Sequence, residues 1–176
     1  DAIENLGSMD VFCTDKTGTL TEGVVALADA TDAAGRSSTE VRQLAFLNAA
    51  FETGIENPLD AAIIAVGESG GLTTGGYRKI DEIPYDFLRK RLTIVVAADA
   101  DPTQHQIVTK GAFANVLAIC SSVAQNGADV PLTTAGHAEL GTFYQAKSAE
   151  GFRVIALATR KVAARDHYVH GDEVAM

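Results

Sequence analysis

The sequence has few cysteines, a deficit of basic residues and no long hydrophobic segment. With only two cysteines, Cys13 and Cys120, it cannot form the disulfide framework of a small secreted domain, and a reducing, cytosolic compartment is expected. Its 14 lysines and arginines against 23 acidic residues give a net charge of −9, which argues against a nucleic-acid groove or a surface for anionic membranes. Apolar runs such as 61–66 fall short of the roughly 18 to 20 residues that cross a bilayer. We therefore expect the chain as given to be soluble.

The composition is that of a globular protein. Hydrophobic residues make up 47% and charged residues 21% of the chain, a balance that favours a packed core over disorder. A chain of this length buries roughly 70% of its unfolded surface, which predicts one compact domain with an appended arm. It begins at Asp1, with no initiator methionine and no signal sequence, as an excised segment would.

Capping residues and apolar periodicity predict the helices. Ser37 and Glu40 have capping-box spacing, and Pro58 stands where a first helical turn tolerates a missing donor. Gly151 is placed to end the last helix. The predicted helices run from the Ser37 cap to Phe51, from Asn57 to about Gly67, from Ala112 to Cys120, and from Thr133 or Thr134 to Glu150.

Short apolar runs between turn signals predict the strands. They lie at Val11 to Thr14, Val24 to Ala28, Lys79 to Ile83, Leu92 to Ala98, Gln104 to Lys110, and Arg153 to Arg160. The residues Asp99 to Pro102 predict a turn that joins two of these strands as an antiparallel hairpin. We therefore predict an α+β fold, a mainly antiparallel twisted sheet flanked by helices, with an N-terminal arm.

The segment from Cys13 to Thr21 carries the clearest chemical signal. A carboxylate at the end of a buried strand, Asp15, is suited to attack phosphorus, while Lys16 offsets charge. Thr17 occupies the position where the related phosphatase pattern has a second aspartate that serves as acid and base, so an acyl-phosphate here would be hydrolysed slowly. Asp15, Lys16 and Thr17 are therefore candidate catalytic residues. The simpler alternative is an ordinary polar turn after a strand.

The run Asp15 to Thr21 resembles the phosphorylation signature of the P-type cation-transporting ATPases. The resemblance continues, in the family's order, through an acidic motif, an adenine-pocket segment, a lysine motif and an arginine strand. These segments are Asn57 to Ile63, Ile83 to Thr93, Lys110 to Ala112, and Gly151 to Val154. The stretches Ala2 to Asp10 and Lys79 to Pro84 are most similar to the bacterial magnesium-transporting branch.

The resemblance implies a domain plan. Residues 1–23 would be the first strand and phosphorylation loop of an incomplete phosphorylation domain, 24–165 the nucleotide-binding domain, and 166–176 a tail or hinge. The parent would be an integral inner-membrane pump, bacterial, that couples ATP hydrolysis through an aspartyl-phosphate to cation transport, with magnesium as the cation. The partners would be ATP, the cation, and the remaining phosphorylation, actuator and transmembrane domains of the same polypeptide, but not nucleic acid. The fragment alone would bind nucleotide without turnover.

The resemblance also implies roles in an adenine pocket. Tyr85 has the family's spacing to the phosphate lysine and is the predicted base stacker, with Phe87 as the alternative. Asp60 would accept a hydrogen bond from the adenine amino group, although capping a helix is its ordinary role. Lys110 would line the pocket wall and Gly111 would let the ligand approach, unless the lysine is simply a solvated strand end.

Two cations and two oxygen ligands complete the implied site. Lys90 and Arg153 would contact the phosphates of ATP. The Asp15 carboxylate and the Thr17 carbonyl would bind Mg²⁺. A soluble phosphatase using Asp15, and a non-catalytic nucleotide-binding module, remain as alternative functions.

Other polar residues are expected at the surface. Arg89 and Arg91 lie on either side of Lys90, and we expect both to be solvated. The four histidines lack metal-ligand spacing, and we also expect them to be exposed. They are His105, His137, His167 and His170.

Overall fold

The computed structural model describes residues 25–54, 57–125 and 127–176. These residues form six strands, four α-helices and one short 3-10 helix, His170–Asp172. The strands are β1 (Tyr77–Ile83), β2 (Arg91–Ala98), β3 (Asp101–Ala112), β4 (Ser122–Gln125), β5 (Ala128–Pro131) and β6 (Ile155–Ala163). The helices are α1 (Thr39–Phe51), α2 (Pro58–Ser69), α3 (Phe113–Leu117) and α4 (Thr134–Ala149). The predicted α+β class is confirmed, while the predicted arm and its strand Val11 to Thr14 lie outside the described residues.

A four-stranded antiparallel sheet in the order β1-β2-β3-β6 forms the centre of the fold. The strand β2 is buried over six consecutive residues from Leu92 to Ala97, so both faces of the sheet must be covered. The hairpin between β2 and β3 was predicted, but its turn is tighter than expected because Asp101 already pairs with Ala98. Only Asp99 and Ala100 remain in the turn.

Each face of the sheet has its own hydrophobic core. On one face, Leu47 of α1 packs against a cluster contributed by β2 and β3, which consists of Leu92, Ile94, Val96 and Val108. On the other face, Val95 and Ile107 pack against Val116 of α3. Tyr168 and Met176, from the segment after β6, join this second core. The result is three layers, with the sheet between a helical pair and a layer made of α3 and the C-terminal segment.

Side-chain caps set the helix starts. Ser38, not Ser37, caps α1 by accepting a hydrogen bond from the Val41 amide at 3.3 Å. The capping-box prediction was wrong by one residue because the Ser37 hydroxyl is engaged elsewhere, 3.0 Å from an Asp29 carboxylate oxygen. The predicted start of α2 is confirmed, with the Asn57 side chain accepting from the Asp60 amide at 2.9 Å.

Three other predictions differ from the structure. Residues 25–28 form no strand, and Val25 is 44% exposed, so this apolar run is not used as a buried strand. The hairpin of β4 and β5 was missed because its short strands are half-buried or exposed and carry little hydrophobic pattern. The helix α3 ends at Leu117 and not at Cys120.

In the described part of the chain, no helix is both long and apolar enough to cross a bilayer.

The packing of α1 on α2 yields a first prediction. Gly67 is buried in α2, and a methyl group there would overlap the ring of Phe46 in α1. Gly67→Ala should therefore destabilise the fold by about 1 to 3 kcal/mol, despite the better helix propensity of alanine. The matched control is Gly141→Ala in α4, where a Cβ meets nothing within 4 Å and a gain of about 0.5 to 1 kcal/mol is expected. Urea unfolding measures both, and equal effects would contradict the packing argument.

Candidate functional site

The candidate residues collect at one end of the sheet. There β1 ends, β2 begins, β3 ends and β6 begins, because all neighbouring strands are antiparallel. In register, Gly111 lies opposite both Arg91 and Ala156. The loop 84–90 and the segment containing Arg153 therefore leave the sheet at the same end as Lys110.

A buried ion-pair cluster joins β3 to the two helices. Lys110 is only 6% exposed, and its ammonium group donates to the carboxylate of Asp60 at the start of α2. It also lies 3.2 Å from Oε2 of Glu52, directly after α1. The Asn57 amide donates to the second oxygen of Asp60, which fixes that carboxylate. Asn57 therefore caps the helix, and the Asp60 side chain in its first turn pairs with Lys110.

Glu52 was not identified from the sequence. A carboxylate at the C-terminal end of a helix faces the negative end of the helix dipole, which is unfavourable for it. Such a position indicates that the residue has another partner, and here the partner is Lys110. A carboxylate at this unfavourable position is the sequence feature that could have identified Glu52.

The cluster holds one cation and two carboxylates, so the two acids differ in pKa. Burial alone would raise the pKa of Asp60, but hydrogen bonds with Glu52 and Lys110, together with the lysine charge, hold it below its ordinary value. For Glu52, burial and the hydrogen bond with Asp60 raise the pKa, and Lys110 offsets this only in part. As the pH falls, Glu52 is therefore protonated before Asp60.

The loop 84–90 presents aromatic side chains to solvent. Tyr85 is 48% exposed and Phe87 is 87% exposed, and their rings meet edge to face with centroids 5.6 Å apart. Asp86 organises the loop by accepting from the amides of Leu88 and Arg89 at 2.8 and 2.6 Å. The rings are thus carried on a hydrogen-bonded turn.

Lys90 and Gly111 are locked together where this loop enters β2. Lys90 has a φ of +52°, a conformation that non-glycine residues rarely adopt. Its carbonyl accepts from the Ala112 amide at 2.9 Å, and a Cβ on Gly111 would come within 2.5 Å of that carbonyl oxygen. Glycine at 111 is thus required by backbone packing, a reason that the sequence reasoning did not anticipate.

Arg89 and Arg91 are not solvated as expected. Their side chains are only 15% and 14% exposed, and both donate to the carboxylate of Glu173, which is fully buried. We find no sequence signal for Glu173, since its partners lie more than 80 positions away.

The prediction for the histidines was wrong for His105. Its side chain is buried on β3, with Nδ1 2.8 Å from the Tyr168 hydroxyl. His167 is exposed as expected, with Nδ1 2.9 Å from an oxygen of Asp81.

Lys90 and Arg153 are exposed at the same end of the sheet, where both were expected to meet a ligand. Asp15, Lys16 and Thr17 lie outside the described residues.

The family model for the P-type ATPase cytoplasmic domain N matches residues 19–174. The chain belongs to this family. The fold class and the family resemblance are thus confirmed.

Three similar relatives come from bacteria. The chain is 41% identical over 176 residues to "Magnesium-transporting ATPase, P-type 1" of Escherichia coli strain K12, which covers 98% of this chain and 19% of the relative. A protein of the same name from Salmonella typhimurium strain LT2 is 42% identical over 168 residues, or 94% of this chain and 18% of the relative. A "Probable cation-transporting P-type ATPase" of Mycoplasma pneumoniae is 29% identical over 71% of this chain and 15% of that protein. The chain therefore spans about a fifth of the length of the first of these relatives.

The buried acids predict a pH-dependent effect of Glu52→Gln. Because the folded state raises the pKa of Glu52, its contribution to stability is largest below the unfolded pKa of about 4.3 and is lost as pH rises through the folded value. Glutamine cannot ionise, so the variant should gain stability relative to the parent between about pH 4 and pH 7. Urea unfolding across this range measures the difference.

The control is Glu139→Gln at an exposed position of α4. A Glu52→Gln variant that loses stability relative to the parent as pH rises would show that Lys110 holds Glu52 ionised.

Proposed function

We propose that this chain is the ATP-binding domain of a membrane cation pump, and that the pump transports magnesium. The observation that carries the proposal is the buried Lys110–Asp60 pair, placed at the same end of the sheet as the exposed aromatic loop and Arg153. The magnesium assignment is supported by the names of the bacterial relatives. The domain would then lie on the cytoplasmic side of the bacterial inner membrane.

Adenine recognition begins with stacking on Tyr85. A base on an aromatic ring contributes about 1 to 3 kcal/mol, and half of the Tyr85 side chain is open to solvent. The edge-to-face contact with Phe87 supports the ring without stacking on it, so a face remains for the base. Phe87 is the alternative stacker, and its greater exposure leaves less protein around a bound base.

Asp60 and Lys110 select the base and line its pocket. An ionised carboxylate offers about four lone-pair sites, and Lys110, Asn57 and Glu52 occupy three of those on Asp60. A remaining site accepts the adenine amino group. Gly111 allows close contact with Lys90 and Arg91, which keeps the aromatic loop next to the strand end that carries Lys110.

The phosphates are bound by exposed cations. Lys90 acts as a point charge, and Arg153 offers a bidentate fork to phosphate oxygens. Both side chains are exposed to solvent at this end of the sheet, so the triphosphate can extend from the adenine toward solvent.

Phosphoryl transfer in the parent uses the N-terminal segment. A carboxylate oxygen of Asp15 forms a bond to the γ-phosphorus while the bond from that phosphorus to the β,γ-bridging oxygen breaks, so ADP leaves and an aspartyl-phosphate remains. Lys16 offsets the negative charge, and Thr17 supplies a backbone carbonyl. The Asp15 carboxylate and the Thr17 carbonyl would hold Mg²⁺, which would supply positive charge between the nucleophile and the phosphates. Residues 1–23 belong to the phosphorylation domain, 24–165 to the nucleotide-binding domain, and 166–176 to the tail or hinge between them. The other partners are the remaining domains of the same polypeptide.

Tyr85→Ala should weaken ATP binding by about fivefold to 150-fold, the loss of one stacked base. The unsubstituted chain is expected to bind ATP with a dissociation constant between tens of micromolar and millimolar. One stacked base and a few charged contacts leave a net binding free energy of about −4 to −6 kcal/mol. Calorimetric titration measures both. The control is Leu88→Ala in the same loop, which removes an apolar side chain at a residue that is 92% exposed.

Parent-like binding by Tyr85→Ala, with weakened binding by Phe87→Ala, would assign the stacking role to Phe87. Loss of affinity in Leu88→Ala as well would indicate a general disturbance of the loop.

A second experiment tests the reaction. The full-length protein that contains this chain should form an acid-stable phosphoenzyme from radiolabelled ATP and support growth of a magnesium-uptake-deficient cell, and Asp15→Asn should abolish both. The chain alone should not be labelled, because part of the phosphorylation domain is proposed to lie elsewhere in the polypeptide.

Robust labelling of the chain alone would support the phosphatase alternative, particularly with release of phosphate from an aryl phosphate. A full-length protein that binds ATP but forms no phosphoenzyme would support the non-catalytic module.

A further inference from the structure

Glu173 is the most deeply buried acid among the described residues. Its side chain has no exposed surface, although it lies in the irregular segment after β6. One carboxylate oxygen accepts from Thr93 of β2 at 2.6 Å, and that hydroxyl lies 2.7 Å from the hydroxyl of Thr109. The other oxygen accepts from Arg89 and, at 2.9 Å, from Arg91. Glu173 therefore joins the C-terminal segment to the beginning of β2.

The two arginines extend this connection into the aromatic loop. Arg89 also donates to the carbonyl of Pro84 at 2.8 Å and to the carboxylate of Asp86. One guanidinium group thus spans the loop from its first residue to its last turn. Arg91 donates in addition to the carbonyl of Asn115 in α3, at 3.3 Å.

The strained residue of the loop lies between these two arginines. Lys90, with its φ of +52°, is flanked on both sides by a residue whose side chain is bound to Glu173. A left-handed conformation is unfavourable for a non-glycine residue and persists only where its surroundings impose it. Fixing both neighbours through one carboxylate is such a constraint.

The constraint on Lys90 depends on the negative charge of Glu173. A fully buried carboxylate is stable only with charged, hydrogen-bonded partners, and removing it would leave two half-buried guanidinium groups without their shared acceptor. Arg89 and Arg91 would then seek water, and the backbone on either side of Lys90 would lose its anchor. A neutral residue of the same shape cannot accept from both arginines and from Thr93 with equal strength.

We propose that Glu173 is a positioning residue that sets the conformation of loop 84–90 and, through it, the affinity of the site for adenine. The part concerning adenine rests on the proposed function, whereas the part concerning the loop does not. Glu173 touches no ligand in this proposal, and it acts only through Arg89 and Arg91.

The test uses Glu173→Gln, which keeps the shape of the side chain. Hydrogen exchange at the Lys90 amide, which donates to the Asp86 carbonyl, should become at least about tenfold faster, the loss of roughly one charge-assisted hydrogen bond. The affinity for adenosine should fall about tenfold, and the affinity for ATP should fall by at least as much, because Lys90 is also a proposed phosphate ligand.

The control is Ile107→Val, a buried substitution in the core on the same face of the sheet as Glu173. It lowers global stability without altering the contacts of either arginine, so loop exchange and affinities should stay at parent values. Variants are compared after their unfolding free energies have been measured.

Unchanged exchange at Lys90 in Glu173→Gln would overturn the proposal, and so would equal acceleration in Ile107→Val. Faster exchange without a loss of adenosine affinity would overturn its adenine part. If the parent chain binds neither ATP nor adenosine at millimolar concentration, the proposed function fails, and the exchange measurement still decides whether Glu173 positions the loop.

Discussion

The pairing of β2 with β3 is the constraint on which the rest of the structure depends. Successive side chains of a strand point to opposite faces, so the register places Leu92 with Lys110 on one face and Thr93 with Thr109 on the other. One face receives Asp60 and Glu52 from the helices, and the other receives Glu173 from the C-terminal segment. A shift by one residue would exchange these partners and bury unpaired charges.

The two charged clusters differ in balance, and the difference bears on what each can bind. Around Lys110, two carboxylates face one ammonium group, which leaves an excess of negative charge. Such a cluster repels phosphate and suits a neutral ligand that donates a hydrogen bond, as the adenine amino group does. On the other face, two arginines are matched by Glu173 and Asp86. Neither cluster offers a free cation to a triphosphate, which leaves the exposed Lys90 and Arg153 for that role.

The features of the fold that could be predicted from the sequence are those determined by residues a few positions apart. The order of the helices and the main-sheet strands, the β2–β3 hairpin and the start of α2 at Asn57 were confirmed because each follows from residues within a few positions. The choice between Ser37 and Ser38 failed because it depends on Asp29, eight residues from Ser37. Short, mostly exposed β4 and β5 left no apolar pattern to detect.

The candidate site was predictable in its members but not in its construction. Lys110, Asp60 and the aromatic loop were identified, and the structure places the first two in contact. Glu52 and Glu173 were missed because burial of a carboxylate depends on partners far away in sequence, 58 positions for Lys110 and more than 80 for the arginines. A sequence pattern locates such partners only when a family resemblance includes them.

Gly111 illustrates how a motif residue acquires its physical meaning from the fold. The resemblance implied that glycine gives the ligand room, whereas the structure shows that a side chain would collide with the backbone at Lys90 and Arg91. The close approach allows the Ala112 amide to bond the Lys90 carbonyl, which holds Lys90 from the side of β3. Glu173 holds the neighbours of Lys90 from the C-terminal segment. The loop is thus constrained at its base from two directions, and its rings are left free to meet a ligand.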